Sequence, residues 1–320
     1  MTGNAHLLRA NALALPIANN TIDLIVTSPP YFALRTYKDG GEHYDGQVGA
    51  EPTPNDFVDA LLDATREMVR VIKPSGSIFV NLGDSYQNKS GHSTPQKSLH
   101  AIPWRYAIRC IDELGIALRS EIIWNKPNGM PDPTRDRVTR KHEYWFHFVT
   151  STNYFANLDN IRQPHKTKQS QKARKSPPAS WRGIETGRTH NDNTPIGNFF
   201  HHPKGKMATA VWNIPTQGLR VPPEMGIDHF AAFPTEWPRR LIAGWCPEGG
   251  RVLDPFGGTG TTAAVARSMG RTGITVDMSA DYLRLAQWRC HCDGYDKLVR
   301  TTKPTIQPKG TPTLFDRTDQ

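Results

Sequence analysis

The chain contains 320 residues and carries a formal net charge of +9. A chain of this length can bury a sizeable core, as one large domain or as one domain with an insertion. No apolar run approaches the length of about 18 residues that spans a membrane, and the first residues lack the pattern of a secretion signal. The four cysteines lack the spacing of a zinc site or a redox pair. We therefore expect a cytoplasmic protein with reduced thiols, no membrane association and no bound metal.

The first half of the chain alternates strand-like and helix-like segments. Apolar residues recur on one helical face between residues 57 and 72, and the short apolar runs around them have the length of strands. Strands that are separated by helices indicate an α/β protein with a parallel sheet. The predicted segments are strand 22–26, helix 57–72, strand 77–81, helix 104–114, strand 119–124 and strand 144–150.

A basic segment interrupts this pattern between residues 161 and 225. Residues 161–206 contain ten lysines and arginines against two acidic residues, so nearly all of the excess charge lies there. Taken alone, such a segment is a solvated surface or a flexible linker; beside a core that modifies DNA it predicts contacts with phosphates. The predicted contact residues are Lys166, Lys168, Lys172, Arg174, Lys175 and Arg182.

The α/β pattern returns after residue 230. The segments predicted there are helix 237–245, strand 251–253, helix 261–269, strand 272–276 and helix 281–291.

The first chemical motif is the corner that follows strand 22–26. Two consecutive prolines remove backbone donors and fix φ, so Ser28-Pro29-Pro30-Tyr31 predicts a stiff turn at the carboxyl end of the strand. A hydroxyl and a carbonyl there can accept hydrogen bonds from an amino group, and the aromatic ring can stack on a base. The motif therefore predicts a pocket for a nucleobase amine, although alone it is more typical of an ordinary turn.

The second chemical motif is a glycine loop between a strand and a helix. In Asp254-Pro255-Phe256-Gly257-Gly258-Thr259-Gly260-Thr261-Thr262, glycines permit close approach of a ligand and open a helix N-terminus. The next strand ends in Asp277, which can accept both hydroxyls of a ribose. The glycines alone leave NAD(P) and S-adenosylmethionine open. The carboxylate of Asp254 favours S-adenosylmethionine, because it suits cationic groups and repels a pyrophosphate.

Together the two motifs resemble those of the amino-group DNA methyltransferases, which modify cytosine N4 or adenine N6. The Ser-Pro-Pro-Tyr corner precedes the cofactor loop in the chain. This order resembles that of the β-group of the family, in which the motifs are circularly permuted. Phe233-Pro234 resembles the additional cofactor-contact motif of this group. The resemblance covers most of residues 24–150 and 230–289, and does not cover the basic insert.

The resemblance implies a Rossmann-like, circularly permuted S-adenosylmethionine-dependent methyltransferase sheet with an inserted basic recognition region. It implies that the strand ending at Thr27 neighbours the strand ending at Asp254. The expected organisation has four parts. They are the catalytic half (1–160), the basic insert with the target-recognition region (161–225), the cofactor-binding half (226–295) and a flexible tail (296–320).

The resemblance also implies residue roles and partners. Ser28, Pro29, Pro30 and Tyr31 correspond to the catalytic motif. The expected cofactor-binding residues are Phe233, Pro234, Asp254, Phe256, Gly257, Gly258, Gly260, Thr262 and Asp277. The expected partner is double-stranded DNA with a flipped base, together with a possible cognate restriction endonuclease. Serine at the first position favours cytosine N4 over adenine N6. An NAD-dependent oxidoreductase and a non-catalytic DNA-binding protein are the alternatives from other classes.

Overall fold

The computed structural model describes residues 3–32, 46–87, 94–130, 132–164, 204–219, 221, 225–227 and 233–291, and the backbone of two short strands between residues 38 and 43. The six predicted DNA-contact residues of the insert and the predicted flexible tail lie outside the described residues. The four-part organisation therefore stays a prediction.

Ten strands and five helices make up the described fold. The strands are β1 (Ala5–Arg9), β2 (Ile22–Thr27), β3 (Lys38–Asp39), β4 (Glu42–His43), β5 (Ile72–Leu82), β6 (Ala117–Asn125), β7 (His142–Val149), β8 (Val211–Asn213), β9 (Arg251–Asp254) and β10 (Thr272–Asp277). The helices are α1 (Pro54–Val71), α2 (Ile102–Leu114), α3 (Glu236–Trp245), α4 (Thr261–Ser268) and α5 (Ala280–His291), with a 3-10 turn at Leu158–Ile161.

Eight of these strands form one sheet in the order β1-β10-β9-β2-β5-β7-β6-β8. β2 pairs in parallel with both β5 and β9, and Ile25 lies opposite Leu253. This pairing confirms the neighbouring strands implied by the resemblance. The remaining pair, β3 and β4, forms a separate antiparallel ribbon.

The predicted α/β sheet is parallel except at β7. This strand is antiparallel to both of its neighbours, β5 and β6. The physical reason is the connection between β6 and β7, which contains no described helix and so provides no crossover to return the chain to the same direction. The sequence analysis also missed β1 and β8, which are the two edge strands of the sheet.

Both faces of the sheet are buried, because neighbouring residues of the central strands alternate between two cores. Ile25 packs in the core that contains α1 and α2, whereas Leu24 and Val26 pack in the core that contains α3. α1 begins with Pro54 after Thr53, whose hydroxyl accepts a hydrogen bond from the Asp56 amide. A sheet that is covered on both faces leaves the carboxyl ends of its parallel strands as the natural place for a ligand.

Candidate active site

A buried carboxylate joins the two motifs at this edge of the sheet. Asp254, at the end of β9, accepts hydrogen bonds from the hydroxyls of Thr27 (2.7 Å) and Thr262 (2.8 Å). It also accepts one from the Phe256 amide at 3.2 Å. This single side chain therefore connects the end of β2, just before the Ser28–Tyr31 corner, to the glycine loop and to the first turn of α4.

The environment of Asp254 differs from the one expected from the sequence. The side chain is 1% exposed, and burial raises the pKa of its carboxyl group to about 6 against the hydrogen bonds that lower it. We expected this carboxylate to face the cationic groups of the cofactor, but its observed partners are protein donors. Its structural role is to hold the loop, because the two threonines and the loop amide surround it.

The backbone of the glycine loop is shaped by its neighbours. Gly260 has φ of +73°, and a Cβ atom there would lie 2.8 Å from the Cβ of Ala286 in α5. Only glycine satisfies both conditions without strain. Arg289, which is 2% exposed, donates hydrogen bonds to the Thr259 carbonyl and the Thr261 hydroxyl. α5 therefore holds the loop from behind and leaves its front face open.

Asp277 lies beside this open face. Its two carboxylate oxygens accept hydrogen bonds from the amides of Gly258 (2.9 Å) and Ser279 (2.9 Å). The carboxylate is thereby oriented, and its residue lines the cavity. This geometry suits the ribose contact that the sequence predicted.

One cavity brings together residues from both motifs. Among the predicted site residues, it is lined by Ser28, Pro30, Phe233, Phe256, Gly257, Gly258 and Asp277. Four further predicted residues are buried and do not line the cavity: Pro29, Pro234, Gly260 and Thr262. The cavity therefore presents two aromatic side chains, the backbone of the glycine loop and a carboxylate in one place.

The sequence analysis missed part of the cavity wall. Ala10, Asn11 and Ala12 follow β1. The other lining residues outside the predicted set are Gly46, Gln47, Val48, Pro255, Thr259, Thr261, Met278 and Tyr282. The first three reach the cavity because β1 pairs in parallel with β10, with Arg9 opposite Asp277. The pair Leu7-Leu8 before the Ala-Asn-Ala segment was the available signal, but it is too short to predict a strand alone.

The Ser28–Tyr31 corner is oriented by residues from strands that are distant in the chain. The Ser28 hydroxyl donates to Asn81 Oδ1 at 3.1 Å, and the Asn81 amide nitrogen donates to the Tyr144 carbonyl at 3.0 Å. The second bond fixes which end of the Asn81 amide faces Ser28. Because the proton of the serine hydroxyl is directed towards Asn81, the lone pairs of its oxygen remain available to accept a hydrogen bond.

Tyr31 is held at its ring and at its hydroxyl. The hydroxyl lies 2.9 Å from Asn81 Oδ1 and 2.7 Å from Glu143 Oε2. A Cβ atom at Gly83 would lie 2.6 Å from the Tyr31 ring, so glycine permits the ring to lie close to the backbone after β5. Neither Asn81 nor Glu143 was predicted as a site residue, because only the folded sheet brings β5 and β7 beside the corner.

No helix of the described residues is long and apolar enough to cross a membrane. Within the same residues, no group of three or more histidine, cysteine, aspartate or glutamate side chains is arranged to hold a metal ion.

The structure combines a doubly covered sheet with a glycine loop, an acid at the end of the next strand and an adjoining Ser-Pro-Pro-Tyr corner. This is the arrangement expected of an amino-group methyltransferase. The family model described as DNA methylase, of the N6/N4 methyltransferase type, matches residues 22–288. The chain belongs to this family of DNA methylases.

Two relatives cover most of the chain. The Type II methyltransferase M.SmaI of Serratia marcescens is 33% identical over 83% of this chain and 83% of its own length. The Type II methyltransferase M.Cfr9I of Citrobacter freundii is 30% identical over 88% of this chain and 86% of its own length. Membership of this family excludes the alternative that the glycine loop belongs to an NAD-dependent oxidoreductase.

Solved structures confirm the predicted fold class. The PvuII DNA methyltransferase (cytosine-N4-specific) superimposes with a TM-score of 0.65 at 22% identity, covering 94% of this chain and 91% of its own. A DNA modification methylase from Thermus thermophilus, complexed with S-adenosyl-L-methionine, has a TM-score of 0.54 at 24% identity and covers 90% of this chain and 94% of its own. The expected cofactor, S-adenosylmethionine, is confirmed as that of the family.

Proposed function

We propose that this chain transfers the methyl group of S-adenosylmethionine to the exocyclic N4 of a cytosine in double-stranded DNA. The observation that carries the proposal is the Ser28 hydroxyl, which lines the cavity formed by the glycine loop and donates its proton to Asn81. A neutral oxygen with free lone pairs thus stands where an amino group would enter.

The cavity fits S-adenosylmethionine in chemical terms. When bound, the cofactor supplies an electrophilic methyl group on a sulfonium. Asp277 would accept the ribose hydroxyls, and the backbone of Gly257 and Gly258 would lie against the nucleoside. Phe233 and Phe256, on the same cavity, offer apolar surface to the adenine ring.

The reaction on the base side requires positioning and polarisation. Tyr31 stacks on the flipped base, while Ser28 Oγ and the Pro29 carbonyl accept hydrogen bonds from its amino group. These bonds keep the lone pair of the nitrogen directed at the methyl group, so that the N–C bond forms in line as the C–S bond breaks. The sulfonium would become the neutral thioether of S-adenosylhomocysteine, and the methylated nitrogen would lose one proton to solvent. No covalent enzyme intermediate is required.

Serine at position 28 supports cytosine over adenine. In the resembling family, Ser-Pro-Pro-Tyr is typical of cytosine-N4 enzymes, and the similar PvuII enzyme is named as cytosine-N4-specific. Adenine N6 is the second candidate, because both amines present the same donor geometry to Ser28.

The names of the relatives support a cognate restriction endonuclease as a partner, because both are Type II methyltransferases.

The charge of the chain supports double-stranded DNA as the proposed partner. The excess positive charge between residues 161 and 206 supports contacts with phosphates. We therefore expect the affinity for DNA to fall steeply with salt, as counterion release requires; a flat response would remove the insert from the interface.

Analysis of modified bases tests the proposal. One portion of the DNA from cells that express the chain is digested to nucleosides and analysed by mass spectrometry, and another is sequenced with modification-sensitive chemistry. The Ser28→Ala variant is the matched control. We expect N4-methylcytosine in one sequence context, at a much lower level in the control. N6-methyladenine would overturn the choice of base, and DNA binding without any methylated base would favour a non-catalytic DNA-binding protein.

A further inference from the structure

The hydroxyl group of Tyr31 has no part in the stacking described above. A phenylalanine ring would present the same aromatic face to a base. The hydroxyl nevertheless lies within hydrogen-bond distance of Asn81 and of Glu143, which is 112 positions later in the chain. It therefore connects the catalytic corner to β7.

We propose that Glu143, held by Lys126, is a positioning residue that fixes the plane of the Tyr31 ring for stacking on the flipped base. The proposal deepens the function proposed above and rests on it, since it concerns the same base pocket.

The single phenolic proton of Tyr31 has two acceptors within reach. Asn81 Oδ1 already receives the proton of the Ser28 hydroxyl at 3.1 Å. A carboxylate is the stronger acceptor, because a hydrogen bond to a charged group is shorter and stronger than one to a neutral amide. The phenol therefore donates to Glu143 Oε2, at 2.7 Å, and the bond sets the direction of the ring.

Glu143 is itself held in one orientation. Its second carboxylate oxygen forms an ion pair with the ammonium group of Lys126, whose side chain is 20% exposed against 14% for Glu143. The ammonium nitrogen lies 4.3 Å from the centroid of the Trp124 ring, and Trp124 is the cross-strand partner of Glu143 in the β6–β7 ladder. With both oxygens engaged, the carboxylate has little freedom to rotate away from Tyr31.

Stability alone gives a poor reason for this arrangement. Withdrawing two charges from water costs about as much as their attraction returns, so a largely buried ion pair is weak support for a gain in stability. The pair is better explained by the geometry that it imposes. Gly83 bounds the ring on one side and Glu143 fixes its hydroxyl end, so the ring is held in one plane.

A double-mutant cycle on turnover tests this positioning role. Tyr31→Phe removes only the hydroxyl, and Glu143→Gln removes only the charge at nearly constant volume. We expect each variant to lower kcat by about 10–100-fold, because small misplacements of a reacting group have effects of this order. The KM for DNA and the affinity for S-adenosylhomocysteine should change by less than about twofold.

The double variant is the decisive measurement. If Glu143 acts through Tyr31, the kcat of the double variant falls no further than that of the less active single variant. If the two losses multiply, Glu143 acts independently and the proposal is overturned. Glu121→Gln, an exposed glutamate on the same strand pair, is the matched control and should leave kcat unchanged.

The wild type, the two single variants and the double variant are then compared by thermal unfolding without substrate. A contact between the two side chains predicts that the shift of Tm in the double variant is smaller than the sum of the single shifts. Additive shifts would overturn the contact. This readout needs no turnover, so a wild-type protein that methylates no base contradicts the proposed function while the Tyr31–Glu143 contact is still tested.

Discussion

The Ser28–Tyr31 corner and the glycine loop both contribute residues to one cavity. They differ in the distance along the chain of the residues that bond to them. Most contacts that fix the loop come from residues within 30 positions of it, since Phe256 and Thr262 bond to Asp254 and Arg289 bonds to Thr259. Thr27 is a distant additional partner of Asp254. The corner is fixed by side chains more than 50 positions away, because Asn81 and Glu143 come from two other strands.

This difference indicates which substitutions should impair cofactor binding and which should impair transfer to the base. The cofactor side depends on local backbone geometry, which a short motif encodes. The base side depends on the packing of β2, β5 and β7 against one another, which no short motif encodes. Changes in the corner should therefore affect transfer alone, whereas changes around the loop should affect the cofactor.

The largest expected effect is at Ser28. Ser28→Ala removes the oriented acceptor, and we expect kcat to fall by about 10²–10³-fold, the scale for loss of one preorganised polar group in an active site. Binding of S-adenosylhomocysteine, measured by calorimetry, should stay within about twofold of the wild type. A large loss of that affinity would break the comparison, because the corner would then belong to the cofactor side.

The next effect is at Asp277. Asp277→Ala removes the carboxylate that we propose binds the ribose, and a hydrogen bond to a charged group contributes about 1.5–3 kcal/mol. We expect the affinity for S-adenosylhomocysteine to fall by roughly 10–100-fold, with a smaller change in kcat at saturating cofactor. Equal losses in both quantities would show that the two sides are not separable at this position.

The smallest effect concerns stability and its dependence on pH. Burial raises the pKa of Asp254 to about 6, above the ordinary value of 3.8. Between those two values the folded protein binds more protons than the unfolded chain, so this group lowers the free energy of unfolding as the pH rises from about 4 to about 6. One pKa unit corresponds to about 1.4 kcal/mol. The effect should therefore amount to about 1–3 kcal/mol.

Asp254→Asn keeps the shape and removes this charge. The free energy of unfolding of the variant, relative to the wild type, should increase between about pH 4 and about pH 6 in urea titrations. Buried His147, whose pKa is lowered to about 3, has the opposite pH dependence, but it is common to both proteins and cancels. A pH-independent difference would show that the pKa of Asp254 is the same in the folded protein as in the unfolded chain.

The sequence predicted the elements whose signal is local. Apolar runs located β2 and β9, helical periodicity located α1, and the glycine loop with Asp277 predicted the ligand edge. Each of these depends on residues that are adjacent in the chain.

What the sequence could not predict depends on strand pairing. The direction of β7 follows from the connection after β6, and β1 is too short to be recognised before β10 pairs with it. Asn81 and Glu143 become site residues only when the sheet order places β5 and β7 beyond β2. Asp254 has the residue type expected of a ligand contact, and only its burial shows that it bonds to the protein instead.

The parallel pairing of β2 with β9 also has a consequence for synthesis on the ribosome. Thr27 and Asp254 are 227 positions apart, so at about 5–20 residues per second β2 waits on the order of 10–50 s for its partner. During that time one side of an early central strand is an open sheet edge that can pair with other chains. The order of the motifs therefore makes the nascent chain inactive until the cofactor loop emerges, and dependent on protection of that edge while it is being made.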